Sequence, residues 1–375
     1  LWLVSTMAIR GPWVRLAIIT LFAGGVSAVM AENLFGQISY GNVLFISALT
    51  LYFGWRWLEA TSVKAGVIWG LAFATLIVLA FWGNPQRAVA YDAAPMSAAL
   101  VAWAYAKGSL VIWRPGLRRW VPSQTAWRAI GLWTILVISA GAGTLLYAVS
   151  IAGVNNIEGA ASARWLNFND MVKNLWFSIQ GALGIFGGVP PEGGAVTSLA
   201  GVYFALRLIS TLILLSLMPV AIVGLLRDSM PSARMLGAFV GAGLAVFVFL
   251  QITTTTPDMS DPITSARYML PSLAMGVIAV AALAESRGLR SVSGIAGWFV
   301  IVMLLSSLIS PLNPLSRVYR HYEESPPQKL ASELKRRGLE YGYATYWNAG
   351  ATTVLSDGDV RVRQIRFEAA IPTPY

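Results

Sequence analysis

Apolar residues along this chain gather into long, nearly uninterrupted runs separated by short polar stretches. Nine runs stand out, at about 13–31, 42–58, 65–82, 95–113, 129–152, 201–226, 232–252, 268–284 and 294–311. Each approaches the roughly 20 residues that a helix needs to cross the hydrocarbon core of a bilayer. The pattern therefore predicts an all-α polytopic membrane domain with about nine transmembrane helices over residues 1–312. The second and eighth runs are the shortest. GAFVGAGLAVFVF (237–249) is rich in Gly and Ala, a composition that lets helix backbones approach closely in lipid. The segment 153–200 is too long for a plain connector. Within it, NLWFSIQGALGIFGG (174–188) is apolar but too short to span, which predicts a helix lying in the membrane interface or a re-entrant turn.

After residue 312 the pattern changes. Ser325-Pro326-Pro327 followed by QKLASELKRRG reads as a capped helix ending at Gly338, with Leu330 and Leu334 on one face. YGYATYW (341–347) reads as a strand, NAGATTVLSDG (348–358) as a short helix or turn, and VRVRQIRF (360–367) as an alternating strand. Residues 313–375 are thus expected to form a small α/β tail.

Composition removes the main rival classes. The apolar class makes up 56% of the chain and charged residues 12%, where soluble domains carry about 25%. Mean hydropathy is +0.63. A soluble globule, a disordered chain and a fibre are excluded on these figures. There is no cysteine and a single histidine, His321, so disulfides, thiolate metal sites and multi-histidine metal sites are excluded too. No cleavable signal peptide is evident.

The net charge of +10 becomes informative once it is divided among the loops. Alternate loops hold 13 basic residues (among them Arg10, Arg15, Arg56, Lys64, Lys107, Arg128, Arg227 and Arg287) against the acids Glu59, Asp228 and Glu285. The other set holds Arg87, Arg164, Lys173, Arg207 and Arg267 against seven acids. The positive-inside rule puts the first set, and the N-terminus, in the cytoplasm. Nine spans would then leave the tail outside. The basic balance is thereby assigned to topology, and no nucleic-acid partner is expected. Trp13, Trp55, Trp57, Trp82, Trp113, Trp127 and Trp298 fall at or near run ends, where amphipathic rings favour the interface.

Three patches carry a resemblance. LAFWGNPQRAVAYDAAP (79–95), SARYMLPSLAMG (265–276) and GLEYGYATYWNAGATTVLSDGDVRVRQI (338–365) resemble segments of bacterial family-39-like glycosyltransferases of the GT-C superfold, related to protein mannosyltransferases. With the spacing between patches, the resemblance covers roughly residues 30–375. It implies an inner-membrane enzyme of the cell envelope that takes a sugar from a polyprenyl-phosphate carrier. The sugar would pass to a protein, lipid or glycan acceptor outside the membrane, with a carboxylate of the first outer loop acting as base or orienting the acceptor. Here the chain departs from the pattern. Its first outer loop, about 32–41, is short and holds one acid, Glu32. The family's first spans and catalytic carboxylates are therefore expected upstream of Leu1. An inactive fragment, a non-catalytic scaffold and a transporter or flippase remain as alternatives.

The candidate site residues each have a plain structural counterpart. Arg267 and Tyr268 lie at the mouth of a span, where a guanidinium suits a lipid-linked phosphate, or snorkels and pairs with Asp258 or Asp261. Arg207 lies about two turns into the sixth run, a costly depth for an ion, unless that span starts later than drawn. Asp92 could help hold an acceptor or simply pair with Arg87. Asp258 and Asp261 are the best outer carboxylate pair for acid–base work or for a divalent cation, or else solvated turn residues. No metal site is assigned, and a divalent cation stays open. His321 with Glu323 and Glu324 reads as a solvated linker. Tyr341, Tyr343, Tyr346 and Trp347 could stack on sugars but read more simply as core.

Overall fold

The computed structural model describes residues 1–16, 18, 27–36, 39–108, 123–152, 163–190, 195–256, 265–286, 326–344, 346–368 and 371–374. The chain divides into two compact units. The first, over its described residues, is a helical bundle.

Eight helices of the bundle matter here: α1 (Ser39–Leu58), α2 (Val63–Gly83), α3 (Ala94–Ala106), α4 (Gln124–Ser150), α5 (Phe168–Ile185), α6 (Leu199–Leu226), α7 (Pro231–Thr253) and α8 (Leu270–Ser286). Five of the described helices are long and apolar enough to cross a membrane: α2, α4, α6, α7, and α8 with the turn that precedes it. They match the expected spans 65–82, 129–152, 201–226, 232–252 and 268–284. The run 42–58 is helical as α1, but it does not meet that threshold. Of the run 95–113, α3 covers 13 residues and stops before Gly108, whose φ is +69°. The run 294–311, and residues 17 and 19–26 of the run 13–31, lie outside the described residues.

Polar side chains set the helix starts. Ser62, Ser123 and Ser198 each accept a hydrogen bond from the backbone N–H three residues on, at 3.0–3.2 Å. Each thereby satisfies one of the donors that a helix leaves open at its N-terminus. α5 begins earlier than its apolar core suggested, because Asn167 caps it through Asp170 N–H at 3.0 Å.

The bundle is apolar on its outside. Leu71, Ile138, Leu145, Val149 and Val202 are all exposed, the state expected of side chains solvated by lipid. α8, with the turn that precedes it, is the most buried of the five: 72% of its apolar stretch is buried, against 22% for α2 and for α4. Its last turn is tied to the N-terminal segment: the Glu285 carboxylate accepts from the backbone N–H of Arg10 at 2.9 Å and of Gly11 at 2.5 Å.

α2 and α4 pack closely through Gly143. A Cβ there would meet Phe81 Cβ and the Val78 carbonyl oxygen at 2.6 Å, so the backbones touch where any side chain would part them. Gly141, two residues earlier, has open space around it.

The second unit, from residue 326 on, follows its own pattern. Helix α9 (Pro326–Arg336) leads to strand β1 (Tyr341–Ala344), helix α10 (Tyr346–Leu355), and strands β2 (Arg361–Glu368) and β3 (Ile371–Pro374). β1 and β2 pair in parallel across α10, and β3 joins β2 antiparallel with Ile365 opposite Pro374. α9 ends at Gly338 (φ +68°), where Leu339 N–H donates to the Leu334 carbonyl at 3.0 Å. This is the glycine-terminated C-cap foreseen for it. Arg336 and Arg337 donate to Glu333 at 2.6 Å and hold its carboxyl below the usual range. Two expectations change. The strand expected over 341–347 ends at Ala344, and Tyr346 and Trp347 begin α10. Tyr341 and Tyr343 are 73% and 72% exposed, so they are not core residues.

Substituting Gly143 with Ala is expected to lower the melting temperature in detergent, because inserting a methyl into a closed contact costs about 1–3 kcal/mol. Gly141→Ala should be neutral or stabilising. Equal effects at the two positions, read by thermal unfolding, would refute the close α2–α4 contact.

Candidate anion site

Four chain segments meet near the start of α1. The first is α1 itself, whose opening turn carries Tyr40. The second is the break after α2. Asn84, extended at φ −162°, caps a short helix (Pro85–Ala88) by accepting from Arg87 N–H at 3.0 Å. Pro85 sits at its first position, where its missing N–H costs nothing. A π-helical turn follows (Val89–Ala93) and runs into α3. The third is the end of α7, and the fourth is a 3₁₀ turn (Ala266–Met269) that carries Arg267 and Tyr268 into α8.

These segments place two guanidiniums around one pair of rings. Arg87 lies 5.6 Å from the Tyr40 ring centre and 5.8 Å from that of Tyr268. Arg267 lies 5.9 and 5.5 Å from the same two centres. The rings meet edge to face, 5.9 Å apart at 79°. Tyr40 is buried, while Arg87, Arg267 and Tyr268 are half-buried. The turn is pinned from behind: Tyr91 Oη donates to the Tyr268 carbonyl at 2.5 Å, and its ring stacks on Phe247 at 4.0 Å.

Electrostatically the cluster is unbalanced. Among the described residues neither Arg87 nor Arg267 forms an ion pair. Arg267 Nε is buried without a hydrogen-bond acceptor. The aromatic faces compensate part of the charge, at about 0.5–2 kcal/mol per cation–ring contact. Two cations with planar donors beside a phenol-lined wall are the donor chemistry that suits a small oxyanion such as a phosphate.

Of the residues singled out in the sequence, Arg87, Arg267 and Tyr268 are brought together. Asp92 is not their partner. It is 3% exposed, turned into the bundle beside Ser47, and no ion pair joins it to Arg87. The reason is the π turn, which admits one residue more than an α turn and swings Tyr91 and Asp92 inward. Tyr40 and Tyr91 were not anticipated. Their only sequence signal is an aromatic residue at a run end, which by itself reads as an interface anchor.

Arg207 serves a different place. Its guanidinium donates to the carbonyl of Phe186 just beyond α5, and the Thr211 hydroxyl lies 3.5 Å from the same oxygen. Ser27 donates to the neighbouring carbonyl of Ile185. A buried cation over the carboxyl end of a helix complements its dipole, so the depth of Arg207 has a structural cause. Asp258, Asp261, His321, Glu323 and Glu324 lie outside the described residues. No group of three or more His, Cys, Asp or Glu able to hold a metal occurs among the described residues.

Comparison with protein-family models, curated proteins and solved structures finds no match.

Arg207→Leu is expected to cost about 1–3 kcal/mol of stability by stranding buried carbonyls, and to leave binding at the Arg87–Arg267 pair unchanged. Thermal unfolding combined with a phosphate-lipid binding assay would check both halves.

Proposed function

We propose that this chain is a membrane glycosyltransferase of GT-C type that takes a sugar from a polyprenyl-phosphate donor. The observation that carries the reading is the pair Arg87 and Arg267, held on two tyrosine rings and, among the described residues, without an ion-pair partner. In this reading the donor's isoprenoid stays in lipid, and its phosphate supplies the two guanidiniums with an anionic partner. A hydroxyl or amide of a protein, lipid or glycan acceptor attacks the anomeric carbon. The bond from that carbon to the phosphate oxygen breaks with inversion, and the oxygen keeps the electron pair. The phosphate gains charge as it leaves, so the guanidiniums bind the departing group more tightly than the bound donor. Interactions that strengthen in this way lower the barrier. The base for the acceptor's proton belongs to a carboxylate outside the cluster, with Asp258 and Asp261 as candidates. The site would face the exterior of a bacterial inner membrane, with the N-terminus cytoplasmic and the tail extracytoplasmic. No cofactor is assigned.

The transporter reading draws on a different observation: Asp92, an acid inside the bundle on a distorted helix, as in ion-coupled carriers. The anion site itself is compatible with either protein, so transfer decides between them.

The test uses the chain in nanodiscs with radiolabelled polyprenyl-phosphate sugar. Binding should fall about 10–100-fold in Arg267→Ala and in Arg87→Ala, the range for losing one charged hydrogen-bonding partner. Arg→Lys should recover only part, because a point charge lacks the planar fork. Transfer of label to an acceptor fraction supports the enzyme. Binding that neither substitution weakens would overturn the assignment of the pair.

A further inference from the structure

The second unit presents an uncovered sheet face. β1 and β2 pair in parallel register, with Tyr341 beside Arg361 and Tyr343 beside Arg363. Partners in register project to the same side of a sheet, and residues two apart along a strand share that side. The four side chains therefore form one patch, two tyrosines against two arginines. All four are exposed, whereas Gly342, Ala344 and Val362 are half-buried. α10 takes the opposite side: its Thr353 Oγ1 accepts from Val362 N–H at 2.9 Å, and Thr352 and Val360 are buried.

The patch combines two chemistries. Tyrosine joins an apolar ring to a polar hydroxyl, the combination enriched at the membrane–water interface. Arginine offers a phosphate two parallel donors. Among the described residues neither Arg361 nor Arg363 forms an ion pair. Acids of the same unit are engaged elsewhere: Asp359 pairs with Lys335, and Glu333 with Arg336 and Arg337. The attachment of the unit says which anionic surface is at hand. The same chain carries five membrane-length apolar helices. The last expected span ends at 311 and α9 starts at Pro326, and residues 312–325 reach about 50 Å at full stretch. A tether of that length keeps the patch at a high effective concentration of lipid headgroups.

We infer that the face formed by Tyr341, Tyr343, Arg361 and Arg363 docks on a bilayer surface that contains anionic phospholipid. The tyrosine rings lie at the headgroup level, and the guanidiniums take lipid phosphates. The attraction comes from the negative surface potential of such a bilayer and falls off within a Debye length. This inference needs only the membrane attachment of the chain and is independent of the proposed activity.

The experiment is hydroxyl-radical footprinting of the full chain in lipid nanodiscs, read residue by residue by mass spectrometry. Tyr341 and Tyr343 should be oxidised about threefold more slowly in discs with about 30% phosphatidylglycerol than in pure phosphatidylcholine. Val354, exposed on α10, serves as the internal reference and should not change. Arg361→Glu combined with Arg363→Glu should remove the difference between the lipids, and so should about 0.5 M NaCl. Equal oxidation in the two lipids, the result expected if the bundle covered the face, overturns the docking. Protection that survives the double substitution overturns it as well. Slower oxidation on adding polygalacturonate to neutral discs, with no dependence on lipid charge, would make the face a glycan site and sink the proposal. If the double variant does not fold, the salt series decides, and protection unchanged by salt counts against docking.

Discussion

The constraint on which this molecule depends is that its exterior is apolar, so polar groups in the bundle must find partners inside it. A soluble protein can leave a helix end to water. In hydrocarbon each open N–H or C=O costs several kcal/mol. The bundle meets this by gathering side-chain hydrogen bonds where helices stop. Asn174 of α5 donates to the carbonyls of Gln251 and Thr254 at the end of α7, at 3.0 and 3.3 Å. Gln251 in turn donates to the Ser265 carbonyl at 2.8 Å. Tyr91 closes the series on Tyr268. α5, α7, the 3₁₀ turn and the π turn are thus held together by bonds that the surroundings cannot replace. Arg267 is placed where it is because its turn is fixed by this network.

That placement changes the energetics of the cation pair. On a mobile loop two guanidiniums would part and hydrate separately. Here each side chain leaves from a short, pinned turn, and the two share Tyr40 and Tyr268 between them. The cost of ordering is met in folding, so an anion that binds does not meet it again. Most of the favourable energy is then left for the charge-assisted bonds. Arg207 shows the contrasting use of the same residue type. Buried over the end of α5, it satisfies carbonyls, and its charge is spent on the helix that it closes.

The sequence disclosed these features unevenly, for physical reasons. Long apolar helices were legible because lipid demands an unbroken run, and five of the expected spans are long helices of that kind. Their starts were drawn up to five residues late, since the first turn is polar and its cap is a serine such as Ser123. In the second unit the strand at 341–347 was read too long. Aromatic residues favour strands, and nothing local announces that the chain turns helical at Tyr346. β3 was not read at all: it is four residues long and contains Pro372 and Pro374, tolerated only because it pairs along one edge. At the site, Arg87, Arg267 and Tyr268 could be named from charge at run ends. Their convergence could not, because it depends on three helix ends that lie far apart in sequence. Tyr40 was hidden for the same reason.

The π turn accounts for the largest misreading, the local pairing expected of Arg87 and Asp92. Arg87 and Asp92 are five residues apart, a spacing that invites a local ion pair near a helix mouth. One extra residue in the turn rotates the downstream side chains by about 100° relative to a regular α-helix. The arginine then remains at the half-buried edge with Tyr40 and Tyr268, while the aspartate enters the bundle with Ser47. Had the two paired, each would have cancelled the other at the mouth of the helix. Among the described residues neither charge has an ion-pair partner, and the aromatic faces offset only part of the cost at Arg87. The π turn thereby keeps the guanidinium at the edge, within reach of Tyr40 and Tyr268, and the carboxyl in the interior beside Ser47.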